Sequence, residues 1–139
     1  MRWNPYLTFD GTCETAFNFY AKCLGGKIVM LSRFGDLPPD SGMQIPAEHG
    51  KKIMHARLIA GSQVLMGSDH HPGRPYEGVK GCSMAIMADT PDEAESVFNA
   101  LAEKGMVVMP LTQTFWAVRF GMLVDQFGVP WMVNCEQAR

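Results

Sequence analysis

The sequence has no long apolar run and no long run of like charge, and each absence excludes a class of protein. No apolar segment approaches the roughly 20 residues that a membrane-spanning helix needs. The formal net charge of the 139 residues is −2, so neither nucleic acid nor an anionic membrane is an expected partner. The N-terminal residues show no apolar segment behind a basic start. We therefore expect a cytoplasmic protein without a signal peptide.

The chain has four cysteines, and their spacing excludes the common disulfide and zinc-binding frameworks. The chain contains no C-x-x-C pair, and each cysteine lies in an apolar pattern, namely Cys13, Cys23, Cys82 and Cys135. The spacing favours reduced, buried thiols over a disulfide or zinc framework. The eleven methionines, by contrast, are numerous for this length. They suit either an adaptable binding pocket or a core, and we favour core filler.

The sequence does contain one order of elements that occurs twice. In the first half, strands are predicted over residues 3–9, 27–34, 52–60 and 63–68, with a helix over residues 12–24. In the second half, strands are predicted over residues 82–88, 106–111, 115–124 and 130–135, with a helix from 90 to Gly105. Each half reads strand, helix, strand, strand, strand, which predicts an internal repeat. We expect a single domain, 1–139, with modules 1–70 and 81–139 and a linker at 71–80.

Local signals mark where these elements begin and end. Thr12 and Thr90 are the predicted helix N-caps, and Pro91 suits the first position of the second helix. Gly128 can supply the positive φ of a tight turn between the last two strands. The segment 35–50 is rich in proline and glycine. It is either a lid or binding loop or a disordered insertion, and the sequence leaves both open.

Several short segments resemble one known superfamily. They are 5–11, His55-Ala56 ahead of the Gly61 turn, 114–117, and 120–131 with its Asp125-Gln126-Phe127-Gly128 turn. With two βαβββ modules, they resemble the vicinal oxygen chelate superfamily of glyoxalase I, bleomycin-resistance proteins and extradiol dioxygenases. Within it the chain is similar to the PhnB-like branch, often labelled 3-demethylubiquinone 3-methyltransferase-like. The resemblance implies an α+β fold in which two modules form a curled mixed sheet around a cleft, and it implies a homodimer.

Under that resemblance, strand alternation sorts the side chains into two sets. The set expected to pack on the helices is Trp3, Leu7, Met54, Leu58, Val118, Phe120 and Met122. The set expected to contact a ligand is Tyr6, Thr8, His55, Arg57, Ser83, Phe115, Arg119 and Asn134. A polar lining of this kind suits a small polar or anionic molecule. The alternative is that some of these positions face solvent.

Among these residues, His55 is the best candidate for acid–base catalysis, because an imidazole changes charge near neutral pH. Cys82 and Cys135 are possible nucleophiles without an obvious partner. The sequence has no nucleophile elbow and no P-loop.

The superfamily's usual metal ligands have no match in this chain. Metal-dependent members place His or Glu in strands one, four, five and eight, which correspond to positions near Asn4, Met66 or Gly67, Ser83 and Met132. None is a histidine or a carboxylate, so we predict no metal and no cofactor. His55 with Asp69, His70 and His71 could form a different metal site, but we predict a solvated loop for the Asp-His-His run.

The methyltransferase label is also unsupported. A cofactor-binding turn needs glycines after a strand and before a helix, whereas Gly25-Gly26 follows a helix and Asp10-Gly11 lacks the pattern.

Three functional hypotheses remain. The first, which we favour, is a small-molecule-binding protein that lacks the usual metal site. The second is a metal-dependent glyoxalase-type lyase or isomerase, or a related enzyme of unknown substrate. The third is an interaction protein whose dimer surface uses Trp3, Phe115, Trp116 and Trp131, although tryptophans are more often core residues.

Overall fold

The computed structural model describes residues 1–38, 40–42 and 44–136. Its α-helices and strands are β1 (Tyr6–Phe9), α1 (Cys13–Leu24), β2 (Lys27–Arg33), β3 (Ile53–Ala60), β4 (Gln63–Asp69), β5 (Met84–Met87), α2 (Pro91–Leu101), β6 (Met106–Thr112), β7 (Ala117–Val124) and β8 (Pro130–Glu136), and short 3-10 helices cover Phe34–Asp36 and Ala47–His49. The βαβββ order thus occurs twice, and the predicted α+β fold class is confirmed. The chain divides into two compact units after Gly78, within the predicted linker.

Each unit contains one four-stranded mixed sheet. The strand order is β1-β4-β3-β2 in the first sheet and β5-β8-β7-β6 in the second. In each sheet the first strand pairs in parallel with the last, and the other pairings are antiparallel. The matching order explains why the sequence pattern repeats. No helix in the described part of the chain is long and apolar enough to cross a membrane.

Two glycines show which face of each sheet carries the helix. A Cβ added to Gly67 of β4 would lie 2.8 Å from the ring of Phe17 in α1. A Cβ added to Gly121 of β7 would lie 2.7 Å from the ring of Phe98 in α2. Both glycines are buried because an aromatic ring of the helix fills the space above them. We call the opposite side of each sheet its helix-free face.

The two helices begin in different ways. Thr90 Oγ1 accepts a hydrogen bond from the backbone N–H of Glu93 at 3.1 Å, and Pro91 occupies the first turn, as predicted. The predicted cap at Thr12 is wrong, because its side chain makes no capping hydrogen bond. Asp69, at the end of β4, caps α1 instead. Its Oδ1 accepts from the N–H of Cys13 at 3.0 Å, and its Oδ2 accepts from the N–H of Ile53 at 2.8 Å.

A second buried carboxylate closes the β7–β8 turn. Asp125 Oδ1 accepts from the N–H groups of Phe127 at 2.8 Å and Val129 at 3.0 Å, and Oδ2 accepts from Trp131 Nε1 at 2.8 Å. Gly128 has φ +87°, as the predicted turn requires. Trp131 is therefore a core residue with a satisfied indole rather than part of an exposed surface.

The base of the loop 35–50 is closed by hydrogen bonds. The N–H of Phe34 donates to the Lys52 carbonyl at 3.0 Å, and the N–H of Gly35 donates to the Gly50 carbonyl at 2.9 Å. Beside it, Arg33 Nη1 and Nη2 donate to the two carboxylate oxygens of Glu14 at 3.1 and 2.9 Å. The two ends of the loop are therefore held together and anchored to the first turn of α1.

Removing the Asp69 carboxylate tests its role in the first unit. Asp69→Ala leaves two buried N–H groups without an acceptor, and we expect the free energy of unfolding to fall by about 3 kcal/mol. The matched control, Asp40→Ala at an exposed position, should change it by less than about 0.5 kcal/mol. Urea denaturation at pH 7 measures both. Equal small changes in the two variants would contradict the assignment.

The Arg33–Glu14 pair predicts a specific pH dependence. The hydrogen bond from Arg33, together with its charge, lowers the pKa of Glu14. Because the native pKa is depressed, the contribution of the pair is present above the ordinary glutamate pKa and is lost as pH falls through the native pKa. Glu14→Gln should therefore lower stability by less than about 1 kcal/mol at pH 7, since the pair is exposed. The difference should shrink as pH falls below the ordinary glutamate pKa, as measured by urea denaturation at a series of acid pH values. A difference that grows toward acid pH would contradict this prediction.

Candidate functional site

Two predicted site residues meet on the helix-free face of the first sheet. Tyr6 in β1 and His55 in β3 reach across β4, so that Tyr6 Oη lies 3.3 Å from His55 Nδ1. Their rings are stacked, with centroids 5.7 Å apart and an interplanar angle of 28°. Tyr6 is exposed and His55 is half-buried. The pair presents a phenol and an imidazole to any molecule that binds this face.

Arg57 lies two residues further along β3, on the same face. In the sheet it stands between Met30 of β2 and Met66 of β4. Its guanidinium is exposed and makes no ion pair with residues 1–38, 40–42 or 44–136. Arg33, in contrast, pairs with Glu14. An arginine without a carboxylate partner is free to bind an anion with several N–H donors.

Small hydroxyl groups complete the polar character of this face. Thr8, another predicted site residue, pairs with Ser68 of β4, and Ser32 of β2 pairs with His55. The sequence analysis did not name Ser32 or Ser68. The pairing of residues between neighbouring strands would have identified both serines, because directly paired residues point to the same face. In β2 that register is interrupted by two irregularities.

The helix-free face of the second sheet is mainly apolar. Asn134 of β8 is paired with Met87 of β5 and with Phe120 of β7, and Met132 is paired with Met122. The prediction that Phe120 and Met122 pack on the helix is wrong, because Gly121 between them faces the ring of Phe98. Asn134 lies on the helix-free face.

Arg119 lies on the opposite face from the one predicted. It is paired with buried Cys135, and its Nε donates to Glu95 Oε1 of α2 at 3.1 Å. The predicted alternation in β7 therefore places the residues of this strand on the wrong faces of the sheet. Small residues, Ala117 and Gly121, mark the helix side of this strand, because the helix leaves little room there.

The remaining predicted residues are spread over the two units. Ser83 is exposed and precedes β5, and Phe115 is 91% exposed in the connection between β6 and β7. Phe115 stands edge-on to Trp116, with centroids 4.8 Å apart, and Trp116 is 5.3 Å from Phe120. Trp3, expected to pack on a helix, is 88% exposed because β1 begins only at Tyr6, after Pro5.

In the first unit, only some of the residues that were predicted to pack on the helix are buried. Leu7 and Leu58 are buried as predicted. Met54 is only half-buried, and it lies at an irregularity of the β2–β3 pairing, between His55 and Ile53.

The Asp-His-His run is a loop only from His70 onward, with His71 exposed, so the prediction is corrected for Asp69. Asp69 is buried at the end of β4. His70 Nε2 lies 3.0 Å from Asp10 Oδ1, and its Nδ1 lies 3.0 Å from the Arg74 carbonyl. The His71 ring contacts Phe34. Within the described ranges, no group of three or more His, Cys, Asp or Glu side chains could hold a metal ion.

The cysteines are all free thiols in the described residues. Burial and the nearby Asp69 carboxylate raise the pKa of the Cys13 thiol. A thiol that stays protonated at neutral pH is a poor nucleophile, so Cys13 is a structural residue. Cys135 is buried on the helix side of β8, away from the helix-free face.

Comparison with known proteins identifies the family. The model of the Glyoxalase/Bleomycin resistance protein/Dioxygenase superfamily matches residues 2–133. The chain belongs to this superfamily. It is 34% identical to protein YjdN of Escherichia coli over 96% of this chain and 95% of that protein.

Solved structures agree with this assignment. Protein PA1353 from Pseudomonas aeruginosa is 54% identical, with a TM-score of 0.90 over 99% of both chains. The PhnB protein from Bacillus cereus, a proposed 3-demethylubiquinone-9 3-methyltransferase, is 26% identical, with a TM-score of 0.79 over 97% of this chain and 99% of that one.

A double-mutant cycle tests the position of Arg119. If its guanidinium pairs with Glu95, then Arg119→Gln and Glu95→Gln should show a coupling energy of about 0.2–1 kcal/mol in urea unfolding at low salt. The same cycle with Glu103→Gln in place of Glu95→Gln should show none, because Arg119 forms no ion pair with Glu103 in the described part of the chain. Zero coupling in the first cycle would show that Arg119 does not hold this orientation.

Proposed function

We propose that this protein binds a small polar or anionic molecule on the helix-free face of its first sheet without using the superfamily's usual metal. The observation that carries the proposal is the unpaired Arg57 beside the Tyr6–His55 pair. Thr8 and Ser68 place hydroxyl groups on the same face. Charge and hydrogen bonding together favour a ligand with at least one acidic group.

The Tyr6–His55 contact defines what His55 offers to such a ligand. Nδ1 is engaged by the Tyr6 hydroxyl, which leaves Nε2 as the ring nitrogen available for a ligand. When Tyr6 donates to Nδ1, Nε2 carries the proton and can donate to an anionic oxygen. When the tautomer is reversed, Nε2 becomes an acceptor and can remove a proton. His55 is therefore the residue we assign to acid–base chemistry if the protein catalyses a reaction.

The usual metal of the superfamily does not fit the residues present. By alternation, the positions on the helix-free faces of β1, β4, β5 and β8 are Tyr6, Thr8, Val64, Met66, Ser68, Ala85, Met87, Pro130, Met132, Asn134 and the strand-end Glu136, so the set includes one carboxylate and no histidine. Hydroxyl, thioether and amide groups do not replace the His and carboxylate donors that a catalytic divalent ion requires. A glyoxalase-type lyase or isomerase is therefore the less supported alternative.

The methyltransferase activity proposed for the Bacillus cereus relative is not part of our proposal. The turn between β1 and α1 holds a single glycine, Gly11, and Gly25-Gly26 follows α1 rather than preceding it. Neither turn has the glycine pattern of a cofactor-binding βαβ unit. The homodimer and the cytoplasmic location stay predictions, and the exposed Trp3, Phe115 and Trp116 are the residues that favour an interface.

Titration of anionic probes tests the binding proposal. Inorganic phosphate and benzoate, measured by calorimetry and thermal shift, should bind the wild-type protein. Arg57→Gln and His55→Ala should weaken binding by about 10-fold or more, because each removes a charged or directional donor, while the folded state persists. Arg74→Gln, the same charge change outside the strands, serves as the matched control. Equal effects of Arg57→Gln and Arg74→Gln would reduce the result to general electrostatics and contradict the proposal.

Metal content gives the second test. Elemental analysis of the purified, untagged protein, with thermal shifts on added zinc, nickel, manganese and iron, should show no stoichiometric metal and no stabilisation at micromolar metal. A stoichiometric ion would support the lyase alternative with unexpected ligands.

A further inference from the structure

Asn134 has an amide oxygen that the fold leaves unsatisfied. Oδ1 is buried and has no hydrogen-bond partner in the described part of the chain. The amide nitrogen lies 3.6 Å from Met87 Sδ, which is a weak acceptor. The opposite orientation of the amide would place its oxygen against the electron-rich sulfur. The amide oxygen is therefore the atom without a hydrogen-bond partner.

A buried acceptor without a donor is uncommon in folded proteins. It destabilises the protein, since the oxygen has given up its hydrogen bonds to water and gained none in return. Such an atom commonly marks a place that a ligand, an ion or a water fills. A cation is disfavoured here, because it needs several oxygen ligands and the rows of paired residues that contain Asn134 and Met132 hold no carboxylate. The missing partner is therefore a neutral donor.

The residues around Asn134 define the rest of the occupant. Met87 and Phe120 flank it in its own row, and Met132, Met122 and Met109 form the adjacent row of the same face. The Trp116 ring stands edge-on to Phe120, with centroids 5.3 Å apart. Methionines adapt to irregular apolar shapes and contact aromatic rings favourably through sulfur. Aromatic edges add a second surface suited to a flat ring.

We propose that the helix-free face of the second sheet binds a neutral aromatic molecule, or an aromatic part of a molecule, that carries one N–H or O–H donor. Asn134 Oδ1 accepts the hydrogen bond from that donor and sets the specificity. Met87 is 57% exposed and unbranched, so its side chain can move away from the amide when the ligand enters. The inference uses only residues of the second unit and does not depend on anion binding at Arg57.

A matched pair of probes tests the donor requirement. Indole has a ring N–H, whereas 1-methylindole has the same ring without it. We expect indole to bind about 10-fold more tightly, which corresponds to about 1.4 kcal/mol for one buried hydrogen bond. Protein labelled with 13C at the methionine methyl groups reports the location. Indole should shift the signals of Met87, Met122 and Met132, assigned by single Met→Leu variants.

Two variants separate recognition from a structural role. Asn134→Leu removes the acceptor and keeps the volume, so we expect the indole to 1-methylindole affinity ratio to fall to about one. The urea midpoint should stay the same or rise, because an unsatisfied polar group is removed. Thr112→Val, at the far end of the same row, is the matched control and should keep the wild-type ratio.

The outcomes separate this inference from the function proposed above. Asn134→Leu should leave phosphate binding unchanged, and Arg57→Gln should leave indole binding unchanged. Equal affinity of wild-type protein for the two indoles, or no methionine shift at millimolar indole, would overturn the inference. A large drop in the urea midpoint of Asn134→Leu would also overturn it, because it would mark the amide as a structural group.

Discussion

The carboxylate of Asp69 is the constraint on which the first unit depends. One side chain at the end of β4 accepts from the first N–H of α1 and from the first N–H of β3. It therefore sets where the helix starts relative to the sheet, and the Phe17 ring then packs over Gly67. Once α1 is committed to that face, the other face is left for Tyr6, His55 and Arg57. The polar face is the side of the first sheet that α1 leaves uncovered.

The second unit has the same topology but a different surface chemistry. Its buried carboxylate, Asp125, sits in the β7–β8 turn and holds Trp131, while a threonine caps its helix. Its helix-free face has methionines, Phe120 and one amide where the first sheet has a cation and hydroxyl groups. A repeated fold needs only its helix-side residues to stay apolar and well packed. The residues on the opposite faces are then free to differ, as the arginine of the first sheet and the methionines of the second do.

The sequence predicted the elements well because apolar periodicity and turn residues are local signals. Alternation alone predicts that Leu7 and Leu58 are buried. It also places Tyr6, His55 and Arg57 on the opposite face of the sheet. The cap of α1 could not be predicted, since Asp69 is 56 residues away from Cys13 in the chain. Arg119 was assigned to the wrong face because the large apolar residues of β7 were expected to pack on the helix. Where a phenylalanine of the helix fills the space, as at Gly121, small residues carry that signal instead.

The recognition proposed for the two faces depends on Arg57 and Asn134, neither of which stands at a position that corresponds to the superfamily's usual metal ligands. Thioether, hydroxyl and amide groups discriminate among ligands by shape and hydrogen-bond direction, whereas a divalent ion polarises any oxygen that reaches it. Discrimination at Arg57 depends on an arginine charge that is constant across the physiological pH range. Discrimination at Asn134 depends on a neutral acceptor in apolar surroundings, where a ligand without a donor leaves the buried oxygen unpaired. The two proposed ligands therefore differ in the group that each face would recognise, an acidic group at Arg57 and a ring donor at Asn134.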